Sequence, residues 1–537
     1  MSGSPKNKAK AANRFPKSFD KGHALAQFSI GNLYLFGAEG VPIDKAKAAE
    51  YFQKAADQGL PVAQFNLGLL YQNGEGVPKN MTKAARWLQK AADQGFAPAQ
   101  YDLGRLYLIG DGIIQDIAKG VEWIRKAADK GNVLALSELG ERYRLGEGVP
   151  KNLPMAVKLL QKAADLGDGV SQFLLGELYR KGEGVPKNMA RAAKWYQLSA
   201  ERGDVDAQFA LAEQYRNGEG VPQNMAKAVK WFHKAADQGD VDSQYALGEI
   251  YQGGEGVPKN IANALKWFQL AADQGDMYAQ FSLGEINHKG DEGVPKNLTQ
   301  AVDWYKKSAE QGLVEGQLYL GLMYGNGEGV PKDMDQAAVW SRKAAERGHA
   351  VAQYYLGYLY HNGYGVPKDE IKAMVWTKKA AKQGHSAAQF DVAVQYLEGD
   401  GVPKNLTLAA EWFQKAASLG HVEAQLNIGL MHSRGDGVPK DMAKAVEWAQ
   451  KAADQGFAKA QHYFGLLYDS GDGVPVDKVK AAEWYQKAAD QGLAEAQYRL
   501  GLAYLSGDGV PKNKAKALEF FQKAADQGFA LAKRRLG

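Results

Sequence analysis

Glutamate recurs at a constant spacing of 36 residues through the first half of the chain. The glutamates in question are Glu141, Glu177, Glu213, Glu249 and Glu285. Three of them are followed, three residues later, by Arg144, Arg180 and Arg216. On a helix, such pairs can be ordinary ion pairs on a solvated face, worth about 0.2–0.5 kcal/mol each. The alternative is a mixed-charge groove for a partner's charged side chains or terminus, because arginine binds carboxylates through two parallel hydrogen bonds.

The position occupied by these glutamates becomes apolar in the second half of the chain. There it holds Leu322, Tyr358 and Val394, and Tyr354 and Tyr355 lie close to Tyr358 in sequence. Aromatic anchors beside a polar rim are typical of interface hot spots. The alternative is that some of these rings pack against the next repeat. The predicted partner-binding residues are Glu141, Arg144, Glu177, Arg180, Glu213, Arg216, Glu249, Tyr354, Tyr355 and Tyr358.

Other residues with reactive side chains lack the spacing that catalysis or ligation requires. His349, His385 and His421 recur at 36 residues, and packed helices about 8–10 Å apart would hold them too far apart to share a metal. They are predicted to be surface residues. The recurring Gly-x-Gly-Val-Pro lacks the spacing of a phosphate loop and a preceding strand. There is no cysteine, which excludes disulfides, thiolate metal sites and thiolate nucleophiles. Since no nucleophile–base pair or acid pair stands out either, we predict no catalytic residue, no metal site and no cofactor.

A repeat positions all of these residues. Val-Pro pairs recur every 36 residues, with one step of 37 and one copy in which Ile113-Ile114 replaces the pair, which gives fourteen copies. Periods of 20–50 residues indicate stacked repeats in which each unit packs only on its neighbours. The chain length therefore reflects copy number rather than several unrelated domains.

Each copy has the pattern of two helices. Ala63, Leu67 and Leu70 place apolar side chains on one face of a first helix, and Gly74 is suited to end it. Asn80 is placed to cap a second helix. In that helix the predicted buried stripe includes Trp87, in a position that holds all eleven tryptophans of the chain. Trp→Ala there is expected to cost about 3–5 kcal/mol.

The repeated pattern resembles the Sel-1-like repeat, a relative of the tetratricopeptide repeat. The matching residues in one copy are Ala63, Leu67, Gly68, Tyr71, Gly74, Gly76, Val77, Pro78, Lys83, Ala84, Trp87, Lys90, Ala91 and Ala92. The resemblance implies an all-α, right-handed α-solenoid (superhelix) of about fourteen 36-residue helix-turn-helix repeats, whose first helices line a concave surface. It also implies a non-enzymatic scaffold or adaptor that binds a protein or peptide.

The ends of the chain match parts of a repeat. Residues 1–22 are predicted to be a degenerate half-repeat cap, 23–528 the fourteen repeats, and 529–537 a final half-repeat helix. The two half-repeats could join chains head to tail, so a self-assembling structural protein is the alternative function, although a monomer is favoured over an oligomer.

Charge and hydropathy limit the possible partners and compartments. The net charge of +5 comes from residues 1–21 and the remainder is neutral, which argues against a nucleic-acid partner. No apolar run approaches the roughly 20 residues of a membrane span, so we predict no membrane insertion. No secretory signal is visible, which predicts a cytoplasmic protein, or a secreted or periplasmic one if a signal was removed.

Overall fold

The computed structural model describes residues 23–38, 40–291 and 293–536, which form paired helices and no strand. The helices are α1 (Ala24–Phe36), α2 (Lys45–Asp57), α3 (Pro61–Asn73), α4 (Met81–Asp93), α5 (Ala97–Ile109), α6 (Ile117–Asp129), α7 (Val133–Leu145), α8 (Leu153–Asp165), α9 (Gly169–Lys181), α10 (Met189–Glu201), α11 (Val205–Asn217), α12 (Met225–Ala236), α13 (Val241–Gly253), α14 (Ile261–Asp273), α15 (Met277–Lys289), α16 (Leu298–Glu310), α17 (Val314–Asn326), α18 (Met334–Glu346), α19 (Ala350–Asn362), α20 (Glu370–Lys382), α21 (Ser386–Glu398), α22 (Leu406–Ser418), α23 (Val422–Arg434), α24 (Met442–Asp454), α25 (Ala458–Ser470), α26 (Lys478–Asp490), α27 (Ala494–Ser506), α28 (Lys514–Asp526) and α29 (Ala530–Leu536). Odd-numbered helices are called A helices and even-numbered ones B helices. The predicted all-α solenoid of two-helix repeats is confirmed.

The chain divides into two compact units, Met1–Trp267 and Phe268–Gly537. Within each unit, A helices pack on the B helix that follows and on the B helix before, as α3 packs on α4 and α2 in the first unit and α19 packs on α20 and α18 in the second. The predicted cap at residues 1–22 lies outside the described residues, so the cap and head-to-tail assembly stay predictions. Among the described residues, no helix combines the length and apolar character needed to cross a membrane.

Local capping explains where the helices begin and end. The Asn80 side chain accepts a hydrogen bond from the backbone N–H of Lys83 at 2.9 Å, as predicted for the start of α4. At the end of α3, Gly74 has φ +72° and its N–H donates to the carbonyl of Leu70. A left-handed residue of this kind favours glycine, which has no Cβ.

Of the predicted buried stripe of α4, Ala84 and Ala91 are confirmed at 0% exposed, whereas the prediction is wrong at Trp87. Trp87 is only partly buried, whereas Leu88 beside it is 0% exposed. The same holds for most other copies, and Phe232, Tyr305 and Phe413 are among the largest fully buried side chains. The residue after the tryptophan therefore fills the core between the A helices.

The tryptophan has a different environment. In nine copies the lysine three residues later lies over the indole, as Lys90 does at 3.9 Å from the Trp87 ring centroid. One turn of helix brings the two side chains together, and the ammonium stays in water while the ring faces it. The tryptophan is thus partly buried beside the core in most copies, and it is buried in two of them, Trp267 and Trp340.

Hydrogen bonds of glutamine side chains link neighbouring helices. Gln64 of α3 is 4% exposed and donates from its amide nitrogen to the carbonyl of Ala56 on the preceding B helix, at 3.1 Å. Its amide oxygen accepts from Gln94, at the end of its own B helix, at 2.8 Å. The second bond recurs in seven other repeats between glutamines about 30 residues apart. Both polar ends of the buried amide are thereby satisfied.

Some repeats lack the glutamine that corresponds to Gln94. Leu419 replaces it in one copy, and the amide oxygen of Gln389 then has no hydrogen-bond partner among the described residues. In another copy Leu166 is accompanied by Leu136, which replaces the buried glutamine as well. Both members of the pair, Leu136 and Leu166, are therefore apolar in that copy, and the pair contains no side-chain acceptor that would need a donor.

Replacing Leu419 by glutamine is expected to raise the stability of the repeat by about 0.5–1.5 kcal/mol, the net value of one hydrogen bond. Leu419 is 57% exposed, so little apolar burial is lost. Leu166→Gln is the matched control, because Leu136 offers no acceptor. Urea unfolding of both variants measures the difference in their free energies of unfolding. Equal effects of Leu419→Gln and Leu166→Gln would contradict the predicted hydrogen bond to Gln389.

The second glycine of Gly-x-Gly-Val-Pro forms the joint between repeats. A Cβ on Gly76 would overlap the backbone of Lys45, the first residue of the preceding B helix. Gly365 meets Met334, and Gly437 meets Leu406, in the same way. The motif is thus a site of backbone contact between repeats.

Candidate partner-binding surface

The main cavities lie between consecutive A helices. One of about 490 Å³ is bounded by α9 and α11, and one of about 260 Å³ by α19 and α21, with the intervening B helix contributing to each. The surface formed by the A-helix side chains that line such cavities is called the A-helix face. All ten predicted partner-binding residues belong to A helices, seven in the first unit and three in the second.

The Glu–Arg pairs of the first unit form within their own helices. Arg144 lies 3.1 Å from Glu141, and Arg180 lies 2.7 Å from Glu177. These three-residue pairs were one of the two alternatives raised by the sequence. Their presence does not exclude the other alternative, because the side chains also border cavities.

Glu177 is the most strongly held of these carboxylates. It accepts hydrogen bonds from Arg180 and from the hydroxyl of Tyr196 on α10, the latter at 2.5 Å, and Lys181 lies 2.9 Å away. Burial acts to raise the pKa of Glu177, but these donors outweigh it and hold the pKa at about 2. Glu177 is therefore ionised at neutral pH and already bonded within the chain.

The guanidinium of Arg216 lies near three carboxylates and pairs closely with none of them. It lies 3.8 Å from Glu213, 3.6 Å from Glu249 on the next A helix and 3.7 Å from Glu255. All three distances exceed the 2.7–2.9 Å typical of charge-assisted hydrogen bonds. This part of the A-helix face thus carries more negative than positive charge, in loose ion pairs.

The three tyrosines of the second unit have different surroundings. Tyr354 donates a hydrogen bond to Asp391 at 3.0 Å and stacks on His385, with ring centroids 4.6 Å apart. A Cβ on Gly325 of the preceding A helix would overlap the hydroxyl of Tyr355. Tyr354 and Tyr355 therefore pack between repeats, as the alternative interpretation held, whereas Tyr358 is 48% exposed.

Two glutamines on this face, each with a buried amide oxygen, were not singled out from the sequence. Gln214 and Gln395 take a position that is mostly aliphatic in the other A helices, and each has an amide oxygen without a hydrogen-bond partner among the described residues. Both border the cavities described above. Comparing the repeats position by position would have revealed both glutamines as polar exceptions, together with Arg142 at the same position.

The periodic histidines cap helices. The Nδ1 atoms of His349, His385 and His421 accept backbone N–H bonds at 3.4, 3.2 and 3.3 Å. They replace the asparagine or aspartate caps of other A helices. In the described part of the chain, no group of three or more His, Asp or Glu side chains could hold a metal ion.

Comparisons with known proteins agree with this geometry. A family profile of the Sel1 repeat matches residues 24–60, 61–96, 97–132, 133–168, 169–204, 205–240, 241–276, 278–313, 314–349, 350–385, 386–421, 422–457, 458–493 and 494–529. A search of curated proteins found no matching relative.

Two solved structures are similar over much of the chain. One is c5321, a protective antigen present in uropathogenic Escherichia coli strains with an SLR fold, which is 36% identical; the match covers 84% of this chain and 97% of that one, with a TM-score of 0.74. The other is a Sel1 repeat protein from Oxalobacter formigenes, 38% identical over 58% of this chain and 90% of that one, with a TM-score of 0.51. With fourteen matched repeats and helix pairs of the same kind, the chain belongs to the Sel1 repeat family.

Proposed function

We propose that the protein is a non-enzymatic scaffold that binds a protein or peptide along its A-helix face. The observation that carries the proposal is that cavities recur between consecutive A helices in both units. Residues that hold the repeats together, such as Gln64 and Gly76, lie at other positions of the repeat. The side chains bordering the cavities are therefore free to differ from one repeat to the next.

The composition of the A-helix face supports a protein partner. In the first unit it carries Glu213 and Arg216 in loose ion pairs, and in the second unit it carries the exposed ring of Tyr358. Interfaces are enriched in tyrosine and arginine, and a few such residues carry most of the binding energy.

Affinity capture from the source cells, followed by mass spectrometry, tests the proposal with two variants. One carries Arg180→Glu with Glu213→Lys, and the other carries Tyr358→Ala. Replacing a hot-spot residue weakens binding by about tenfold or more, so at least one variant should lose most of the captured partner. The control is Lys230→Glu with Glu411→Lys, on exposed B-helix positions. Unchanged capture by both A-helix variants, or loss only in the control, would contradict the proposal.

A further inference from the structure

The B helix beneath the cavity between α19 and α21 has a small side chain at its core position. In other repeats a tyrosine at this core position reaches the A-helix face: the Tyr196 hydroxyl meets Glu177 at 2.5 Å, and the Tyr485 hydroxyl meets Asp469 at 3.4 Å. Here the residue is Thr377, and Gly357 on α19 adds no side chain. Thr377 and Gly357 both line the cavity between α19 and α21, which has a volume of about 260 Å³ and which we call the Thr377 cavity.

The loop at one side of the Thr377 cavity stands away from the preceding repeat. The second glycine of the motif contacts the start of the preceding B helix in most copies, as Gly365 and Gly437 do. In this copy a Cβ on Gly401 would meet nothing within 4 Å. Asp400, which precedes it, lines the cavity.

The lining of the Thr377 cavity has acceptors in excess. Asp391, Glu398 and Asp400 contribute carboxylates, and no lysine or arginine belongs to the described lining. Asp391 accepts one hydrogen bond, from Tyr354, while the buried amide oxygen of Gln395 accepts none from the described residues. A buried acceptor without a donor costs free energy. The lining is therefore suited to a ligand that donates several hydrogen bonds and carries positive charge.

His361 is the basic residue of the described lining, and its imidazole faces Glu370 rather than the carboxylates of the cavity. The Nδ1 atom of His361 lies 2.8 Å from Glu370, and Lys368 lies 3.0 Å from the same carboxylate. Glu370 is not part of the lining. This local network therefore leaves the carboxylates of Asp391, Glu398 and Asp400 without a compensating ion pair among the described residues.

An aromatic ring forms part of the wall. Tyr358 is 48% exposed and lines the cavity, and Tyr364 supports it with ring centroids 6.0 Å apart. A planar cation can stack on such a ring while its edge bonds to acids.

Resting on the proposed function, we propose that the Thr377 cavity binds one arginine side chain of the partner protein. At about 260 Å³ the cavity is smaller than the roughly 300–1,000 Å³ of small-molecule sites, which favours a single side chain. A guanidinium has five donors in a planar fork, so it can bond to Asp391 and Gln395 together while its face covers Tyr358. The ammonium of lysine has no such plane.

The equivalent cavity of the first unit provides a contrast. It also contains a buried glutamine with an unpaired oxygen, Gln214, which is 4% exposed. However, Ala210 takes the position of Asp391, and Arg180 of the chain itself lies in the lining and pairs with Glu177. A partner's arginine is therefore expected to select the second unit.

Selection of peptides from a displayed library of random dodecapeptides, with the full chain immobilised, tests the inference. We expect enriched peptides to share an arginine at one fixed position. Replacing that arginine by citrulline, which keeps the shape and removes the charge, should weaken binding of the synthetic peptide by about tenfold or more, since hydrogen bonds to charged groups are the stronger ones. Fluorescence anisotropy of the labelled peptide measures the change.

Variants of the chain connect this preference to the Thr377 cavity. Asp391→Asn and Tyr358→Ala should each weaken binding of the arginine peptide but leave binding of the citrulline peptide unchanged. Asp102→Asn, at the corresponding position of the first unit, is the matched control and should have no effect. Because Tyr358 is exposed, its replacement tests the cavity even if Asp391→Asn impairs folding. If the enriched peptides shared no arginine, or bound the Asp391→Asn variant as tightly as the unsubstituted chain, the arginine site would be overturned but the scaffold function would not. Failure to enrich any peptide would overturn both.

Discussion

Replacing Phe413 by alanine should destabilise its repeat by about 3–5 kcal/mol, the usual cost of removing a buried aromatic side chain. Phe413 is 0% exposed and packs against Phe390 of α21, with ring centroids 5.6 Å apart. Its neighbour Trp412 is larger but only partly buried, with Lys415 4.3 Å from its ring centroid. Trp412→Ala should therefore cost only about 1–2 kcal/mol, from partial burial and one cation–π contact.

The pair of variants is informative because the sequence alone favours the opposite order. Repeats can unfold separately, so a single unfolding midpoint does not describe one repeat. Amide hydrogen exchange of α22 and of the flanking α21 and α23 measures the local stability. If exchange accelerated more in Trp412→Ala than in Phe413→Ala, the indole would contribute more to the stability of the core than the phenyl ring, contrary to the prediction.

The sequence predicted the features that each repeat specifies locally. Helical spacing of Ala63, Leu67 and Leu70 and the cap at Asn80 depend on residues within one or two turns, so they could be read directly. The error at Trp87 has a simple cause: adjacent residues on a helix point about 100° apart. A pattern of large side chains does not tell which of two neighbours, Trp87 or Leu88, faces the core.

Features that depend on two repeats at once were harder to predict. The bond from Gln94 to Gln64 joins residues 30 positions apart, at the ends of different helices. The Thr377 cavity is lined by side chains of two A helices and of the B helix between them. Such features require the distance between helices, which the sequence does not contain, although the exceptions Thr377 and Gln395 are visible when the repeats are compared.

Replacing Gly365 by alanine is expected to disrupt the joint between two repeats, whereas Gly384→Ala should be much milder. Both glycines have positive φ, +65° and +89°, so both variants include a left-handed backbone penalty of about 1–2 kcal/mol. They differ in their surroundings. A Cβ on Gly365 would overlap the carbonyl group of Met334 at the start of α18, and one on Gly384 would meet nothing within 4 Å.

The overlap at Gly365 is with backbone atoms, which cannot move as a flexible side chain can. Relief requires the loop to withdraw from α18, so contact between the two repeats is lost in addition to the backbone penalty. Urea unfolding combined with hydrogen exchange should show faster opening of α18 and α19 in Gly365→Ala than in Gly384→Ala. Similar effects of the two substitutions would mean that Gly-x-Gly-Val-Pro is conserved among the copies only for its backbone conformation. A larger effect at Gly365 would establish the second glycine as the contact through which one repeat fixes the position of the next, and hence the spacing of the cavities along the A-helix face.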